Sequence, residues 1–502
     1  MRPPSLPALK VSLWLAAATL PSAVTAAPVL VIGDSLSKEY QITFPGVPIA
    51  GVPGIDPDHP SARNWVEILS ARRNAQFALG EYRDSVFAAW KDLRLLGHEY
   101  NWAVPGARAR QIRDLLLGQN LDEITNDSGF TQLTTLAAEW QQTGARITAQ
   151  LQAGTAAGVV ILIGGNDLRS GSTDPAAAVN GTPITYGTIY SGDGTGAGDP
   201  QPLMNSLKDS VQAIANFVRA GNATIPLAIC AVPHIGATPD VTRQFPTDAA
   251  RTGRITTALD ALNAELKTWT ESTAKGVWVD SSYILTRGLI SAPLNIGGVT
   301  FRSEADPLGP ADSAAAHNRY LFAQDGFHPT TALQALVARG VSDALKAAYP
   351  AVYGTVEPLG TREILADVCG IPASMGFTEF LASASVPAGS QGALDDPDQD
   401  GLPNIMEFAL AGLSPSTLDA QSATTFALLP FMDVPVATLT WQPRFQDNVA
   451  CTITCQASED LATWTDVPDS LVLTNDDGTR TARFPVDLRQ KAFLRLKITA
   501  SL

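Results

Sequence analysis

Cysteine is scarce in this chain of 502 residues. Its four cysteines, Cys230, Cys369, Cys451 and Cys455, are too few for a disulfide scaffold. Cys451 and Cys455 fall on one predicted strand, about 13 Å apart at the rise of an extended chain, so they cannot bridge each other there. Metal-binding spacings such as Cys-x-x-Cys and His-Glu-x-x-His are also absent from the sequence. The sequence therefore excludes a disulfide-rich protein and a metal-cluster protein of these kinds.

Positive charge is in deficit. The chain has 34 Lys and Arg residues against 49 Asp and Glu residues, and its formal net charge is −15. An acidic chain repels the phosphate backbone, so nucleic acid is excluded as the expected partner. Apolar residues make up 45% of the chain, which is typical of a globular protein, and its length indicates two or three domains.

Long hydrophobic runs are rare as well, and residues 1–26 carry the exception. Arg2 and Lys10 supply a positive start, residues 11–20 form a short apolar core, and small residues precede Ala27. This pattern predicts a secretory signal peptide with its cleavage site after Ala26. Elsewhere the sequence offers no run long enough to span a bilayer. We therefore expect a secreted protein, whether extracellular, periplasmic or on the cell surface, with no transmembrane anchor.

The remaining chain divides by its periodicity. Strands and helices alternate over residues 28–350, which predicts an α/β domain with a parallel sheet between helix layers. Residues 351–393 are typical of a linker with one short helix, and residues 394–412 form a compact acidic motif. Over residues 424–502 the helical spacing ends, and short strands separated by turns predict a small all-β domain of the sandwich type.

One stretch stands out as a candidate for chemistry. The apolar run at residues 29–32 predicts a buried parallel strand, and it ends in Gly33-Asp34-Ser35. Open α/β sheets bind ligands at the carboxyl ends of their strands, where Ser35 would lie. Ser35 is therefore a candidate nucleophile, although a serine at this place can also simply cap the next helix.

A serine nucleophile needs a base and a group that orients the base. His328 is the best candidate base, because Asp325 precedes it by three residues and can fix the imidazole within one turn. The chain has five histidines, and the others are His59, His98, His234 and His317. His234 follows a predicted strand and could lie near the site, whereas the remaining three have no comparable partner in the sequence.

The developing oxyanion needs hydrogen-bond donors, and three are available. These are the backbone N–H of Ser35, the backbone N–H of Gly106 and the side-chain amide of Asn166. Gly106 allows the backbone to approach a substrate closely, and Asn166 follows the predicted strand at residues 158–163. Taken alone, the Gly-Gly-Asn-Asp segment at residues 164–167 is more typical of an ordinary turn.

Four segments in this order resemble the GDSL or SGNH hydrolase family. They are Gly33-Asp34-Ser35-Leu36-Ser37, the Asn-x-Ala-x-x-Gly segment 101–106, the Gly-x-Asn-Asp segment 164–167 and the Asp-x-x-His-Pro segment 325–329. The resemblance covers about residues 28–350. It implies a flavodoxin-like three-layer α/β/α fold and ester hydrolysis through an acyl-enzyme. It also implies a catalytic role for Ser35, Asp325 and His328, and an oxyanion hole from Ser35, Gly106 and Asn166, without a cofactor.

The chain departs from the minimal family members in its loops at 44–60, 170–202 and 289–318. Residues 170–202 are rich in Gly, Ser, Thr and Pro, and they predict a surface insertion. The insertion could be a flap over the site or a tolerated loop without a role. The competing α/β-hydrolase fold requires Gly-x-Ser-x-Gly, which no serine in the chain satisfies.

The acidic motif fits the twelve-residue calcium loop of EF-hands. Its ligand positions are taken by Asp396, Asp398, Asp400, Leu402 (through its carbonyl), Asn404 and Glu407. The segment before it does not look helical, so the motif resembles a dockerin-type or thrombospondin type 3-like calcium loop more than a complete EF-hand. We expect a structural Ca²⁺ ion, the alternative being a solvated acidic turn.

The prediction is a secreted serine esterase with a calcium-stiffened C-terminal module. Its substrate would be a small acyl ester, an acetylated polysaccharide or a lipid ester, and an acyltransferase using the same site is a further possibility. The alternative is a non-enzymatic, calcium-stabilised surface or matrix binding protein. The C-terminal β domain resembles domains of secreted bacterial proteins that follow such loops, and could attach to a cell surface or a polysaccharide. Trp441 and Trp464 in it are either core residues or a sugar platform.

Overall fold

The structure is a computed structural model. It describes residues 28–40, 61–83, 90, 92, 94, 96–121, 141–169, 177–296, 299–309, 312–371, 377–431, 434–444, 451–475, 479–486 and 491–500. The predicted signal peptide 1–26, the loop 44–60 and the start of the insertion at residues 170–176 lie outside the described residues.

The strands before residue 350 are β1 (Val29–Gly33), β2 (Tyr82–Arg83), β3 (Gly97–His98), β4 (Gly158–Leu162), β5 (Ala178–Val179), β6 (Thr182–Pro183), β7 (Leu227–Cys230), β8 (Val277–Val279), β9 (Asn295–Ile296), β10 (Val299–Thr300), β11 (Arg302–Ala305) and β12 (Tyr320–Phe322). The later strands are β13 (Thr424–Phe431), β14 (Val434–Trp441), β15 (Cys451–Ser458), β16 (Thr465–Asp466), β17 (Val472–Thr474), β18 (Arg480–Pro485) and β19 (Phe493–Ala500).

The α-helices are α1 (Trp65–Arg72), α2 (Ala109–Leu117), α3 (Thr143–Gln152), α4 (Tyr186–Ser191), α5 (Gln201–Gly221), α6 (Pro239–Gln244), α7 (Arg251–Ser272), α8 (Ser281–Leu289), α9 (Ala314–His317), α10 (Thr331–Ala348), α11 (Pro350–Tyr353), α12 (Phe377–Ser383) and α13 (Asn404–Ala409). Short 3₁₀ turns cover Asn166–Leu168, Gly196–Gly198, Ile235–Ala237, Ala388–Ser390, Ala420–Ser422 and Asp469–Leu471, and a π-helical turn covers Glu363–Val368.

The central sheet is parallel and has the strand order β1-β4-β7-β8. Residues 100–104 extend it along the free edge of β1, where Trp102 N–H donates to the Val31 carbonyl and Val104 N–H to the Gly33 carbonyl, both at 2.9 Å. With this segment counted as the second strand in sequence, the order is that of a doubly wound sheet. The predicted α/β fold with a parallel sheet is confirmed.

The two faces of the sheet are covered by different helices, because successive side chains of a strand point to opposite faces. Leu30 and Ile32 belong to one core cluster, with side chains from α2, α5 and α7. Val29 and Val31 belong to a second cluster, with side chains from α1 and α10. Helix α5 packs through residues that recur at helical spacing on its buried face, namely Leu203, Leu207, Val211, Ile214 and Val218.

The segment 351–393 differs from the predicted linker. It contains α11, the π-helical turn and α12, and its apolar side chains are buried in the second core cluster with those of α10. Examples are Val356, Ile364 and Phe380, each at most 4% exposed. The sequence pattern is sparse in periodic apolar residues, but most of those that the structure describes meet one surface, and Val352 is an exposed exception. The described parts of the segment therefore form a packed layer on the α/β domain of residues 28–350 rather than a loose connection.

The C-terminal module contains two antiparallel sheets, with the strand orders β13-β14-β18-β17 and β16-β15-β19. Leu439 and Ala482 from the first sheet and Cys455 and Ala457 from the second share one apolar cluster. Antiparallel sheets joined through a common core agree with the predicted all-β module. Among the described residues, no helix is both long and apolar enough to cross a membrane.

Candidate active site

Ser35 lies at the carboxyl edge of the central sheet, directly after β1. A Cβ atom on Gly33 would stand only 2.5 Å from the Leu162 carbonyl oxygen, so only glycine allows β1 to end this close to β4. The chain then turns, and the N–H groups of Ser37 and Lys38 both donate to the Asp34 carbonyl at 3.1 Å. This turn directs Ser35 into the edge of the sheet, where the residue is 3% exposed.

His328 and Asp325 meet Ser35 there. The distance from His328 Nε2 to Ser35 Oγ is 2.8 Å, and that from His328 Nδ1 to Asp325 Oδ2 is 2.5 Å. The three residues are thus joined in one hydrogen-bonded series, although 293 positions separate Ser35 from His328. This is the arrangement in which an imidazole can take a proton from a hydroxyl while a carboxylate holds the ring.

Asp325 is stabilised as a carboxylate. Its Oδ1 accepts the backbone N–H groups of Phe327, at 2.9 Å, and His328, at 3.0 Å. Burial raises the pKa of Asp325, but the hydrogen bond and charge of His328, together with these two N–H groups, outweigh it. The pKa therefore lies below its ordinary value. The carboxylate stays ionised and can orient the imidazole.

The loops that carry Ser35 and His328 are tied together by two residues that the sequence analysis does not single out. Tyr40 donates its hydroxyl proton to the Pro329 carbonyl at 2.9 Å, next to His328. Gln334 donates its amide to the Tyr40 hydroxyl at 2.7 Å and to the Leu36 carbonyl at 3.3 Å, next to Ser35. The only signal for Gln334 in the sequence is its place, as a long polar side chain, on the largely apolar buried face of α10.

The candidate oxyanion donors sit on two neighbouring loops. Gly106 has a φ of 76°, which favours glycine, and a Cβ on it would meet nothing within 4 Å, so this backbone faces open space. Asn166 begins the 3₁₀ turn after β4 and donates its amide to the Ala107 carbonyl at 3.1 Å. Asp167 accepts the Ala109 N–H at 3.0 Å. These bonds hold the loop of Gly106 against the loop of Asn166.

A small cavity adjoins Ser35 and Asn166. It measures about 30 Å³, on a scale on which one water molecule needs roughly 10–15 Å³. Pro233, Ile235 and Phe327 supply its apolar wall. The cavity therefore has room for only a few non-hydrogen atoms beside the Ser35 hydroxyl.

Asp34 is a buried carboxyl group on the floor of this cavity. Its Oδ1 accepts the Leu36 N–H at 2.9 Å, whereas its Oδ2 has no hydrogen-bond partner among the described residues. Burial raises the pKa of Asp34 to about 7, although nearby backbone N–H groups lower it in part. The site thus holds one carboxyl group that stays ionised, Asp325, and one that tends to be neutral.

His234 also lines the cavity, as its place after β7 suggested, but both of its ring nitrogens are engaged. Nδ1 accepts the Gly236 N–H at 3.1 Å, and Nε2 lies 3.0 Å from Thr256 Oγ1. Burial lowers the pKa of His234 to about 4, so the ring is neutral. His234 is therefore a wall residue and not a second base.

His317 has an aspartate partner, although the sequence indicated none. Its Nδ1 pairs with Asp306, and its Nε2 lies 3.0 Å from the Gly309 carbonyl. The partner comes from β11 and its following turn, so no short sequence spacing indicated the pair. Since Nε2 faces a carbonyl and not a hydroxyl, this second His–Asp pair has the contacts of a structural element. His59 lies outside the described residues.

The aspartate side chains of the acidic loop lie close together. Asp396, Asp398 and Asp400 place side-chain oxygens within 4.8 Å of one another. Glu407 is fully buried, and both of its carboxylate oxygens lack a hydrogen-bond partner among the described residues. Burial and the surrounding aspartates raise the pKa of Glu407 to about 8. The buried Glu407 carboxylate and the converging oxygens fit a hard cation that would replace the missing donors.

The two neutral positions of the predicted ligand set have different contacts. Asn404 is buried and donates its amide to the carbonyls of Ser390, at 2.9 Å, and Gly392, at 2.8 Å, while its Oδ1 has no hydrogen-bond partner among the described residues. Leu402 donates its N–H to Asp400 Oδ1 at 2.9 Å. Asp419 is an additional acidic group that the sequence analysis does not include. It forms a second cluster with Asp400 and Glu407, within 4.8 Å.

A hydroxyl, an imidazole and a carboxylate in series at the carboxyl edge of a doubly wound sheet define a serine hydrolase type of site. The sequence model of the GDSL-like lipase/acylhydrolase family matches residues 29–341, and the chain belongs to this family. It is accordingly a GDSL-type esterase, a hydrolase that acts on ester bonds. No curated protein matches the chain.

Solved structures similar to this chain include a carbohydrate esterase family 3 protein from Talaromyces cellulolyticus. It is 14% identical, the match covers 64% of this chain and 97% of that one, and the TM-score is 0.29. A mutant acetyl esterase with an acetate ion is 13% identical, with 66% and 100% covered and a TM-score of 0.28. Because both TM-scores are below 0.5, the assignment rests on the family match and not on these two structures.

Proposed function

We propose that this chain is a secreted serine esterase that hydrolyses carboxylic esters of short acyl groups through an acyl-enzyme. The observation that carries the proposal is the series Ser35–His328–Asp325, with its hydrogen bonds of 2.8 and 2.5 Å. A serine hydroxyl is a weak nucleophile until a base takes its proton, and His328 Nε2 is within reach of that proton.

In the first half-reaction, Ser35 Oγ attacks the ester carbonyl carbon while its proton passes to His328 Nε2. The Asp325 carboxylate accepts a hydrogen bond from the Nδ1–H group of His328 and stabilises the imidazolium that forms. Collapse of the tetrahedral intermediate breaks the bond to the alcohol oxygen, which leaves with the proton from Nε2. In the second half-reaction, water gives a proton to Nε2 while its oxygen attacks the acyl carbon. Collapse of this second tetrahedral intermediate breaks the bond from the acyl carbon to Ser35 Oγ, which takes the proton back from Nε2, and the carboxylic acid is released. These steps need no cofactor.

The negative charge on the intermediate's oxygen needs donors. We propose the backbone N–H groups of Ser35 and Gly106 and the side-chain amide of Asn166. The amide of Asn166 carries two hydrogens. One of them is used by the Ala107 carbonyl, which fixes the side chain beside Ser35 and leaves the other for the substrate. The exposed, left-handed backbone at Gly106 supports its role, because it leaves the approach to its N–H open.

The size of the cavity supports a short acyl group. A cavity of about 30 Å³ walled by Ile235 and Phe327 suits an acetyl or propionyl chain, whereas a long acyl chain would need these side chains to move. The alcohol part of the ester lies on the open side of the site, so an acetylated polysaccharide and a small alkyl ester both remain compatible with this proposal.

The acidic loop is proposed to hold a structural Ca²⁺ ion through Asp396, Asp398, Asp400, the Leu402 carbonyl, Asn404 and Glu407. The donors are all oxygens, which is the preference of calcium. The unpartnered oxygens of the buried Glu407 support this assignment, since they would otherwise be costly to bury. The loop lies outside the serine site, so the ion has no proposed part in the chemistry.

Secretion is proposed from the signal-peptide pattern of residues 1–26, which the structure does not describe. Attachment to a cell surface or polysaccharide through the C-terminal module stays a prediction. Its two tryptophans do not form an open sugar platform, because Trp441 is 2% exposed and the Arg495 guanidinium lies 4.0 Å from the ring centre of Trp464. The alternative of a non-enzymatic binding protein is disfavoured by the family match over residues 29–341.

The test is hydrolysis of p-nitrophenyl esters from acetate to palmitate by the wild type and by Ser35→Ala. We expect activity on acetate that falls steeply beyond short chains, and its loss by about 10⁴-fold or more in the variant. Ser37→Ala is the matched control, because its hydroxyl lies in the same turn but accepts from the Trp65 indole, at 3.1 Å. A folded Ser35→Ala protein that retains full activity would contradict the proposal.

A further inference from the structure

The acidic cluster extends beyond the loop that the motif defines. Asp419 lies after α13, at the entry to the C-terminal sheets, and brings a carboxylate oxygen within 4.8 Å of Asp400 and Glu407. Asp400 Oδ2 accepts the N–H groups of Asp419, at 2.9 Å, and Ala420, at 2.6 Å. The Ser414 N–H donates to Asp419 Oδ2 at 3.0 Å. The turn at residues 414–420 is therefore held against the loop, with the Asp419 carboxylate facing the cluster.

A second and independent observation points to a ligand at this place. Glu407 is completely buried, and neither of its carboxylate oxygens has a hydrogen-bond donor among the described residues. A buried carboxylate without a donor or a counter-ion is strongly destabilising. Asp400 and Asp419 on either side add negative charge. The nearby Arg444 guanidinium donates to the Glu407 carbonyl, at 2.7 Å, and gives the Glu407 carboxylate no hydrogen bond. A cation between these three carboxylates would supply the missing partner.

The helix that carries Glu407 is also part of the hydrolase core. Phe408, the next residue, is fully buried, with its ring 5.5 Å from that of Phe377 and 5.6 Å from that of Phe380. These rings belong to the same core cluster as the apolar side chains of α1 and α10. Helix α13 thus carries the unpartnered Glu407 carboxylate and, at the next position, a core residue of the hydrolase half.

Arg444 reinforces this junction from the C-terminal module. Its guanidinium donates to the carbonyls of Glu407, at 2.7 Å, and Phe408, at 3.1 Å, and lies 4.5 Å from the ring centre of Phe380. It also donates to the Leu413 carbonyl. The C-terminal residues of α13 are thereby bonded to the strand-connecting segment after β14. Any movement of α13 would disturb both halves of the protein.

We propose that Asp419 is a further ligand of a single Ca²⁺ ion bound by the loop, and that this ion locks α13 into the hydrolase core. This inference rests on the calcium site of the proposed function. The ion joins three parts of the chain, namely the loop, α13 and the entry to the C-terminal sheets. Its removal would release α13, so the segment 359–371, which packs in the same core, would lose protection together with the C-terminal sheets.

The test measures Ca²⁺ binding to the full-length protein by calorimetry, for the wild type, Asp419→Asn and the control Asp395→Asn. Asparagine at 419 keeps an acceptor for the Ser414 N–H and removes the charge. Asp395 is a neighbour of the loop whose carboxylate accepts the Gly392 N–H at 2.7 Å, so Asp395→Asn removes an equal charge outside the cluster. We expect one ion per chain, a loss of affinity of about tenfold or more in Asp419→Asn, and a change of less than about threefold in the control.

Hydrogen exchange with and without a calcium chelator tests the lock on α13. We expect the chelator to speed exchange in α13 and in residues 359–371 as well as in the C-terminal sheets. Wild-type protein that binds no Ca²⁺ would overturn the calcium site itself. Wild-type binding with equal affinity in Asp419→Asn, or two ions per chain, would overturn the role of Asp419. Unchanged exchange in α13 and residues 359–371 would overturn the lock.

Discussion

The serine site holds the half-buried carboxylate Asp325 on a turn, and the acidic loop holds the fully buried carboxylate Glu407 on α13. The two carboxylates are compensated in opposite ways. Asp325 receives two backbone N–H groups and the His328 imidazole, and its pKa lies below its ordinary value. Glu407 receives no donor from the described residues, and its pKa is raised to about 8. Asp325 is therefore compensated by protein groups, whereas the Glu407 carboxylate has no hydrogen-bond donor among the described residues, which agrees with the proposed cation site.

This difference separates two kinds of site that have similar composition. A preorganised site is arranged in advance for a charge that appears during the reaction, so its protein groups already satisfy one another. An ion site leaves protein oxygens without protein donors, because the ion is to be their partner. Matched substitutions in the two sites test whether the contrast holds.

The largest expected effect is that of Asp325→Asn. The amide cannot stabilise the imidazolium, and it favours the wrong tautomer of His328, so kcat should fall by about 10⁴-fold. Calorimetry should find Ca²⁺ affinity unchanged, because the loop makes no contact with Asp325. A fall of less than tenfold in kcat would show that His328 does not depend on Asp325.

Asn166→Ala removes a single proposed oxyanion donor, and kcat should fall by about 10²-fold or more with a smaller change in KM. The measurement is steady-state hydrolysis of p-nitrophenyl acetate. Asn222→Ala is the matched control, because it makes the same substitution elsewhere in the α/β domain. Asn222 caps α5 and donates its amide to the Leu151 carbonyl at 3.2 Å. An unchanged rate in Asn166→Ala would remove this residue from the mechanism.

Asp34→Asn should change how stability depends on pH. The folded-state pKa of Asp34 is raised to about 7 from an ordinary value of 3.8. The stability that the neutral carboxyl contributes to the folded protein is therefore fully present below about pH 4 and is lost as the pH rises through 7. Asparagine mimics the neutral form and has no such loss. The melting temperature of the variant relative to the wild type should therefore rise between pH 4 and pH 8. A difference that does not vary with pH would contradict the raised pKa.

Glu407→Gln should have the smallest effect on catalysis, but it should change the response to the ion. In the presence of a chelator and at pH 9, above the raised pKa of about 8 for Glu407, the variant should melt a few degrees above the wild type, since an uncompensated buried charge has been removed. With excess Ca²⁺ the order should reverse, because the wild type gains binding energy that the variant lacks. Differential scanning calorimetry with the chelator and with Ca²⁺ provides the measurement. The same order of the two melting temperatures in both conditions would contradict a cation site at Glu407.

How well the sequence predicts each region depends on how many positions separate the residues that are in contact there. The strand at 29–33, the Gly33 turn and the Asp325–His328 pair involve neighbours within a few residues, so local pattern indicates them. The same is true of the spacing from Asp396 to Glu407. The pairing of Ser35 with His328 is a hypothesis from residue chemistry that the family resemblance supports, since no local pattern relates two residues 293 positions apart.

The tertiary structure added the contacts that no short pattern contains. Tyr40 bonds to the Pro329 carbonyl across 289 positions, and Gln334 bonds to Tyr40 across 294. Asp419 joins the acidic cluster because the chain after α13 turns back upon the loop. The segment 351–393 is a packed layer because its sparse apolar residues meet the surface of α10.

By itself the sequence determined the order of strands and helices, the glycine at the turn before Ser35 and the set of loop carboxylates. These depend on local backbone preference and on the periodicity of apolar residues. Only the tertiary structure decided which polar groups meet, which carboxylates are compensated, and how firmly α13 is joined to the hydrolase core. Those outcomes depend on burial, and burial of a side chain is decided by segments that are distant in the chain.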